Sequence, residues 1–201
     1  MTKTIVEAYK NKFKQMIILI SGFSGSGKTV LGKSLSKDLK INFVNLNDYY
    51  KEDWDKTSEA IELEERKIVD WDSPDAVDWN KFNEEINKIK EDGVVVSGFS
   101  FPKDSLSFKT DLHIHLKISK DDLIKNRKDY KSENEDSRIN SLSEEMEKRI
   151  LNKITYPHYM NSLQTSIINK FIQVKSGEEA LKEAYGIIFD FVVENIEKKI
   201  Y

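Results

Sequence analysis

The sequence predicts an α/β protein in which a parallel β-sheet is covered by helices on both faces. Short apolar runs rich in β-branched residues recur along the chain, as in strands that are buried on both sides. Segments with helical periodicity separate these runs, and this alternation is typical of a doubly wound sheet with right-handed crossovers. The five expected strands are 16–21, 41–46, 94–96, 112–118 and 171–174.

Length and composition favour one globular domain over residues 1–201. Hydrophobic residues make up 38% and charged residues 33% of the chain, a balance found in folded proteins rather than disordered ones. The net charge of −3, with no block of like charge, argues against a nucleic-acid partner. The chain has no cysteine, which excludes disulfides and thiolate zinc sites, and its longest apolar run, 16–20, is too short for a membrane span or a signal peptide. We therefore expect a cytoplasmic protein without membrane or nucleic-acid partners, whose oligomeric state stays open.

Helices are expected before and between the strands. Residues 1–15 form an amphipathic lead-in whose apolar side chains lie near one face. These side chains are Ile5, Ala8, Tyr9 and Phe13. Further helices are expected after the glycine-rich turn at 22–29, after the capping residues Asp78 and Ser119, from about Ser143, and over 178–198.

Two segments break this regular pattern. Residues 49–77 have no clear period and are expected to carry a short helix near 57–68. Residues 128–143 are charged and nearly without apolar anchors, which predicts a mobile lid.

In the helix after the glycine-rich turn, the side chains expected to face inward are Val30, Leu31, Leu35 and Leu39.

The segment Gly22-Phe-Ser-Gly-Ser-Gly-Lys28-Thr29 matches G-x-x-x-x-G-K-[ST] in full, with a strand before it and a helix after it. Glycines let backbone N–H groups curl around a phosphate, and the helix N-terminus favours the same anion. Lys28 supplies a positive charge to the β- and γ-phosphate oxygens, and the hydroxyl of Thr29 is the usual Mg²⁺ ligand. The residues expected to bind the nucleotide here are Gly22, Ser24, Gly25, Ser26, Gly27, Lys28 and Thr29.

The pattern at 22–29 is the P-loop, or Walker A motif. The rest of the chain indicates which class of P-loop protein this is. No guanine-reading N-K-x-D sequence occurs, and the chain is short for most ATPase motors. Small kinases remain, in which ATP and an acceptor meet at the carboxyl edge of the sheet. We therefore expect an enzyme that uses ATP and Mg²⁺ to phosphorylate a small molecule.

The second strand ends in Asn47-Asp48-Tyr49-Tyr50-Lys51, at the edge where the acceptor is expected. The carboxylate of Asp48 can take the proton of an acceptor hydroxyl or hold a Mg²⁺-bound water. The alternative for Asp48 is a helix or turn cap.

Several segments, in order, resemble the uridine kinase and nicotinamide riboside kinase group. The P-loop and the Asp48 segment are two of these. Trp71-Asp-Ser-Pro-Asp-Ala-Val-Asp78 is similar to a uridine kinase segment whose first aspartate binds ribose hydroxyls. Weaker matches are 93–99, 120–127, 156–159 and 174–179, so the resemblance spans about residues 16–190.

The resemblance implies a P-loop NTPase fold of the nucleoside and nucleotide kinase type, with three layers, a five-stranded parallel sheet and a mobile lid. It makes Asp48 the candidate general base and a metal ligand, and Asp72 the candidate ligand of a ribose diol. A carboxylate suits a diol because its two oxygens can accept from both hydroxyls. Tyr49, Tyr50 and Lys51 are the other candidate substrate contacts, although the aromatic rings, and above all Trp71, can instead cover the core.

The same resemblance makes Arg127 a candidate catalytic residue, because only Arg127 directly matches an arginine position of the family's lid. Arg138, in the variable part of the lid, is a candidate nucleotide contact. Such lids bring more than one arginine to the transferring phosphoryl group, and arginine is scarce in this chain. Lys128 or Lys131 can supply charge in its place, without the planar fork of a guanidinium. The alternative for Arg127 is a charge on the surface of a helix.

One departure concerns the third strand, which ends in Ser97-Gly98 where kinases of this group have a glutamate before the glycine. Serine cannot act as a carboxylate toward Mg²⁺-bound water, and both Asp92 and Asp111 precede their strands, so they are expected at the wrong edge. Either Asp48 serves the metal alone, or catalysis is slowed, lost or directed to a different acceptor.

The histidines carry no function in this interpretation. His113 and His115 are expected to be packing residues on one strand rather than a metal pair, and His158 a local polar contact. The leading hypothesis is a nucleoside or ribosyl kinase of the uridine, cytidine or nicotinamide riboside type. The alternatives are a P-loop kinase for another alcohol, such as pantothenate or a sugar, and a nucleotide-binding regulator that has lost catalysis.

Overall fold

The computed structural model describes residues 2–63, 66–133 and 143–201. Its strands are β1 (Ile17–Gly22), β2 (Asn42–Asn45), β3 (Ile61–Leu63), β4 (Arg66–Ile68), β5 (Val94–Gly98), β6 (Leu112–Ile118) and β7 (Lys170–Val174). Its helices are α1 (Thr2–Phe13), α2 (Lys28–Leu39), α3 (Trp54–Thr57), α4 (Trp79–Ile89), α5 (Lys120–Glu133), α6 (Glu144–Ile150), α7 (Tyr156–Thr165) and α8 (Glu178–Ile200). A π-helical turn, Leu151–Thr155, joins α6 to α7.

Five strands form one parallel sheet in the order β2-β5-β1-β6-β7. Because they are all parallel, their carboxyl ends meet at one edge, where β1 leads into the glycine-rich turn. The predicted fold class and all five predicted strands are thus confirmed.

The two faces of the sheet are covered by different helices. Alternate residues of β1, such as Ile18 and Ile20, pack in a core with α1, α2 and α8. Ile17 and Leu19 face the other way, into a core with α4. A third apolar cluster, containing Phe23 and Tyr159, lies next to the glycine-rich turn. The molecule therefore has the predicted three layers.

The prediction of a helix near 57–68 is wrong. After the single turn of α3, β3 and β4 form an antiparallel hairpin that pairs Ile61 with Ile68 and Glu62 with Lys67. Leu63 is buried and Glu62 is exposed, the alternation of a strand rather than of a helix. Opposite charges facing each other across the strands favour this pairing.

Two predicted inward-facing residues are exposed. On α2, Leu31, Leu35 and Leu39 are buried, but Val30 is 59% exposed because it lies one position off this i, i+4, i+8 stripe. On α1, Phe13 lies in the last turn and is partly exposed, while Val6 takes the buried place beside Tyr9.

The predicted helix starts are confirmed. Asp78, Ser119 and Ser143 each accept a hydrogen bond from a backbone N–H in the first turn of α4, α5 and α6. Within the predicted lid, residues 128–133 belong to α5, and the remainder up to 142 lies outside the described residues. None of the helices that the structure describes combines the length and apolar composition that a membrane span requires.

Candidate active site

The glycine-rich turn forms a cradle between β1 and α2. Gly25 and Gly27 have φ angles of 94° and 82°, which residues with a Cβ rarely adopt. A Cβ on Gly27 would lie 2.4 Å from the side chain of Leu181. Gly27 is also the N-cap of α2 and, lacking a side chain, makes no capping hydrogen bond to its first turn. The positive end of α2 is therefore open to an anion.

The side chains of this turn fit a phosphate. Lys28 is 7% exposed, and its Nζ donates to the carbonyl oxygen of Phe23 at 3.1 Å, which holds the ammonium over the loop. The hydroxyl of Ser26 is buried without a hydrogen-bond partner among the described residues, an arrangement that costs free energy unless a ligand supplies the partner. Ser24 is exposed and Thr29 is half-buried. The cradle thus combines a positive charge with an unpaired buried donor.

Helix α5 reaches this cradle through a residue that the sequence did not single out. The side-chain amide of Asn126 donates to the carbonyl oxygen of Gly25 at 2.9 Å. Arg127 follows it on α5, whereas Arg138 lies outside the described residues. At the start of α5, Asp122 accepts a hydrogen bond from Ser176 in the turn before α8. The first turns of α5, which lead into the predicted lid, are therefore fixed to the glycine-rich turn and to the turn before α8.

Asp48 lies in a 3₁₀ turn that follows β2. Asn45 caps this turn by accepting from the N–H of Asn47, and the Asp48 side chain is exposed. The structure thus places Asp48 at the carboxyl edge of the sheet, as predicted. Its neighbour Tyr49 packs edge-on against Phe82 of α4, with 5.4 Å between ring centroids, so that ring contacts the core.

The segments around Asp48 and Asp72 lie side by side. The N–H of Lys51 donates to the carbonyl of Ala76 at 2.9 Å, and Tyr50 forms a β-bridge with Val77. The Tyr50 ring also meets Trp71 edge-on at 5.7 Å, and burial, with the nearby acidic residues, raises the pKa of its hydroxyl. Lys51 is exposed at the end of this segment, its ammonium 5.4 Å from the centre of the Trp54 ring.

Asp72 is held by a helix far along the chain. The hydroxyl of Thr155, in the π-helical turn, donates to Asp72 Oδ2 at 2.6 Å. A carboxylate has about four acceptor positions in all, and this is the chemistry that binding of a diol requires. π-Helical turns are frequent at functional sites, and this one contacts the acceptor side through Thr155.

Asp70 organises the same loop. Its Oδ1 accepts from the N–H groups of Asp72 and Ser73 at 3.2 and 3.1 Å. Its Oδ2 accepts from Nε2 of His158 at 2.6 Å, and this hydrogen bond is the largest cause of the raised pKa of His158. The prediction that His158 makes only a local contact is wrong, because its partner is 88 residues away.

Ser97 lies at the carboxyl end of β5 and is fully buried. Its hydroxyl is 3.4 Å from the side-chain oxygen of Asn45, its neighbour on β2. Asp111 lies at the opposite edge, where its carboxylate accepts from the N–H of Ile17, and Asp92 lies two residues before the start of β5. The expectation that neither aspartate takes the place of the absent glutamate is confirmed.

His113 and His115 are buried, as expected, but they are more than packing residues. Each is hydrogen-bonded to the hydroxyl of Ser21, His113 through Nε2 at 2.7 Å and His115 through Nδ1 at 2.8 Å. Burial lowers the pKa of each to about 4, so both rings are neutral near pH 7. No group of three or more histidine or acidic side chains suited to a metal ion occurs among residues that the structure describes.

The residues present fit Mg²⁺ bound together with phosphates. Mg²⁺ prefers hard oxygen ligands and usually takes only one or two from the protein, with waters and substrate phosphates completing its octahedron. The hydroxyl of Thr29, next to the phosphate cradle, and the exposed carboxylate of Asp48 are the candidate ligands. When bound, the ion would neutralise phosphate charge.

Sequence reasoning missed Asn126, Thr155 and Asp70. Each acts through a contact between segments that are far apart in the chain, and hydrophobic periodicity carries no signal for such a contact. The one local hint was their position, since Asn126 directly precedes the predicted Arg127 and Asp70 lies two residues before the predicted Asp72.

The chain matches the model of a known protein family. A family model described as an AAA domain matches residues 18–152, from β1 to the π-helical turn. The chain belongs to the AAA domain family. The match covers the phosphate cradle, the two acceptor segments and the start of the lid.

The curated relatives that the chain resembles carry the names of small-molecule kinases. The chain is 33% identical over 85 residues to nicotinamide riboside kinase of Saccharomyces cerevisiae, covering 42% of this chain and 34% of that protein. It is 34% identical over 86 residues to uridine kinase of Mycoplasma genitalium, covering 41% and 38%. A probable gluconokinase of Xenopus tropicalis is 44% identical over 57 residues, covering 28% and 30%. The resemblance to the uridine kinase and nicotinamide riboside kinase group is thus confirmed, over alignments that span about a third of these relatives' length.

Solved structures support the same fold. Shikimate kinase from Acinetobacter baumannii in complex with shikimate superposes with a TM-score of 0.57 at 15% identity, covering 93% of this chain and 98% of that one. At this identity the likeness shows the fold alone. The chain therefore has the P-loop fold of small-molecule kinases.

Proposed function

We propose that this protein is an ATP-dependent kinase that phosphorylates a hydroxyl group of a nucleoside-like small molecule. The observation that carries the proposal is the phosphate cradle, with its buried Lys28 and unpaired Ser26 hydroxyl. Two acidic segments, at Asp48 and Asp72, follow at the acceptor side of the sheet. An anion site beside carboxylates suits a phosphate donor and an acceptor rich in hydroxyl groups.

The chemistry is transfer of the γ-phosphoryl group. The acceptor oxygen forms a bond to the γ-phosphorus while the bond from that phosphorus to the bridging oxygen breaks, and ADP leaves. The acceptor proton passes to the carboxylate of Asp48. Lys28 and the N-terminus of α2 stabilise the charge on the phosphates, with ATP and Mg²⁺ as the cofactors and Arg127 as the candidate cation from the lid.

The nucleoside class rests on Asp72 and its supporting contacts. The hydrogen bond from Thr155 and the loop bonds to Asp70 hold the Asp72 carboxylate in place. A fixed carboxylate can accept from two adjacent hydroxyls, as in the 2′,3′-diol of a ribose. Tyr50, next to Asp72, offers an aromatic ring close to the same position.

A kinase for another alcohol is the second candidate. The match to a probable gluconokinase favours this second candidate. That match has 44% identity and covers 28% of this chain. Gluconate also carries adjacent hydroxyls, so Asp72 suits it too, whereas the aromatic surroundings of Asp72 favour a ligand with a flat base.

Product formation from a panel of acceptors tests the proposal. The full chain would be incubated with ATP, MgCl₂ and one of uridine, cytidine, nicotinamide riboside, gluconate, shikimate or pantothenate, and ADP and the phosphate ester would be quantified. We expect a phosphomonoester of a nucleoside, and none with the Lys28→Ala variant. A gluconate, shikimate or pantothenate ester would replace the nucleoside proposal with the second candidate. ATP binding without any product would favour a nucleotide-binding regulator.

A further inference from the structure

A buried chain of hydrogen bonds runs across the sheet directly beneath the phosphate cradle. It links the carbonyl of Ile167 to His113 (3.0 Å), His113 to Ser21 (2.7 Å), Ser21 to His115 (2.8 Å) and His115 to the hydroxyl of Tyr159 (3.0 Å). The four side chains are each no more than 7% exposed. Buried polar groups of this kind are strongly oriented, since each must find its partner inside the protein.

The end of this chain fixes the direction of every proton in it. A carbonyl can only accept, so His113 must donate from Nδ1 to Ile167. A neutral His113 then accepts at Nε2 from the hydroxyl of Ser21. Ser21 has one proton, so its oxygen accepts from Nδ1 of His115, and Nε2 of His115 accepts from Tyr159. Both histidines are therefore Nδ1–H tautomers, and Tyr159 is a donor.

The other side of Tyr159 contacts the cradle. Its ring stacks on Phe23 with 4.0 Å between centroids and 21° between planes. The carbonyl oxygen of Phe23 accepts from both Lys28 Nζ and the N–H of Ser26. A rotation of the Phe23 residue would therefore disturb the lysine and the loop together.

We propose that Tyr159 is a positioning residue for the phosphate cradle and that the chain through His115, Ser21 and His113 fixes its ring. Ser21 directly precedes Gly22 and Phe23 directly follows it, so the chain holds the residue before the first glycine and the ring of Tyr159 contacts the residue after it. An apolar residue at 159 would fill the same space but would leave the tilt of the ring unspecified. The catalytic part of this inference rests on the proposed function, whereas the proton arrangement does not.

The tautomers can be read in solution. Two-bond ¹H–¹⁵N correlation spectra of the full chain at pH 7 should show both His113 and His115 protonated at Nδ1 and unprotonated at Nε2. The Tyr159→Phe variant should shift the Nε2 resonance of His115 most. An Nε2–H tautomer for either histidine would overturn the proposed arrangement.

The effect on the cradle is tested with a matched pair of tyrosines. Tyr159→Phe keeps the stacked ring and removes one hydroxyl, and Tyr156→Phe does the same to a ring that also faces Phe23 but lies outside the chain. We expect Tyr159→Phe to weaken ATP binding about fivefold and Tyr156→Phe less than twofold, as measured by titration of the folded protein. Equal affinities for all three proteins would reduce Tyr159 to a packing residue.

A second break separates this inference from the proposed function. Ser21→Ala interrupts the chain at its middle, so adding Tyr159→Phe to it should cause little further loss of ATP affinity. Amide hydrogen exchange at Ser26, whose N–H is bonded to Phe23, gives a readout without any ligand. Faster exchange in Tyr159→Phe but not in Tyr156→Phe supports the inference even if no kinase activity exists. Unchanged exchange in both variants would overturn it.

Discussion

The phosphate side and the acceptor side of the candidate site are built in different ways. The phosphate side lies within eight consecutive residues, 22–29, and depends on glycine conformations and a helix N-terminus. The acceptor side joins 48–51 and 70–78 to the helical segment around Thr155 and His158. A local motif thus sits beside a surface that exists only once distant parts of the chain have packed.

This difference predicts where substitutions act. On the phosphate side, single residues within the motif should control turnover. On the acceptor side, residues that never touch the acceptor should alter its binding, because they hold Asp70 and Asp72.

The largest effect is expected at Lys28. Lys28→Ala removes the charge that faces the phosphates and should lower kcat/KM by about 10³-fold while leaving the fold intact. Steady-state kinetics and thermal unfolding would measure both. Lys37→Ala, at the far end of α2 and exposed, is the control and should retain activity. Full turnover by a well-folded Lys28→Ala protein would exclude the proposed kinase mechanism.

Asp48→Asn should act on kcat rather than on acceptor affinity. Asparagine keeps the shape and some hydrogen bonding of the side chain but cannot take up the acceptor proton, so kcat should fall by about 10²-fold or more with little change in KM. Measuring kcat and KM separately for the best acceptor tests this. A variant in which only KM changes would make Asp48 a binding residue or a cap.

Protonation of the histidines on the two sides should change the free energy of unfolding in opposite directions. Beneath the phosphate side, the pKa of His113 and of His115 is lowered to about 4, so their contribution to stability is present above the unfolded value of about 6.5 and is lost as pH falls toward 4. At pH 5, the lowered pKa of each of these two histidines should reduce the free energy of unfolding by on the order of 2 kcal/mol. On the acceptor side, the pKa of His158 is raised, so the charged His158–Asp70 contact is present at low pH and is lost as pH rises through that pKa.

Urea unfolding of the full chain between pH 5 and 8 measures the change in stability. Acceptor kinetics over the same pH range measure the effect of His158. The free energy of unfolding should fall from pH 6.5 to 5 in the wild type and in His158→Gln alike. The KM of the acceptor should rise with pH in the wild type but stay flat in His158→Gln. A flat stability profile between pH 6.5 and 5 would contradict the burial of two neutral histidines.

The smallest effect is expected at Ser97. Ser97→Glu restores the carboxylate that kinases of the resembling group carry and should raise activity or lower the Mg²⁺ requirement. Because Ser97 is fully buried, the larger side chain should also cost about 1–3 kcal/mol of stability. The Mg²⁺ dependence of the rate measures the first effect, and Ser97→Gln controls for size. If Glu and Gln behave alike, Asp48 serves the metal alone or the acceptor fills this space.

The sequence predicted the features whose cause is local. The run 94–96 is apolar along its whole length, and the P-loop is a fixed pattern with a strand before it and a helix after it, so both could be recognised without the fold. Ser119 and Asp78 as helix caps are equally local.

The failures share a different cause. The paired strands 61–63 and 66–68 contain Glu and Lys residues that suit a helix, and only their pairing decides their conformation. The role of His113 and His115 depends on Ser21 and Tyr159, which the sheet and α7 bring to them. The same holds for Thr155 with Asp72 and for His158 with Asp70, because a pair of polar residues 80 or more positions apart leaves no pattern in one sequence.

The central claim is that Asp72 reads an acceptor diol, and a 2′,3′-dideoxy nucleoside tests it directly. Wild-type protein should use this analogue poorly, and Asp72→Asn should raise the KM of the normal nucleoside by about 1.5–3 kcal/mol of binding. Since the lost contacts are the same, the dideoxy penalty should nearly vanish in Asp72→Asn, while Asp75→Asn, an exposed change in the same loop, should keep it in full. A dideoxy penalty that is undiminished in Asp72→Asn would contradict the account, because Asp72 would then not bind the ribose.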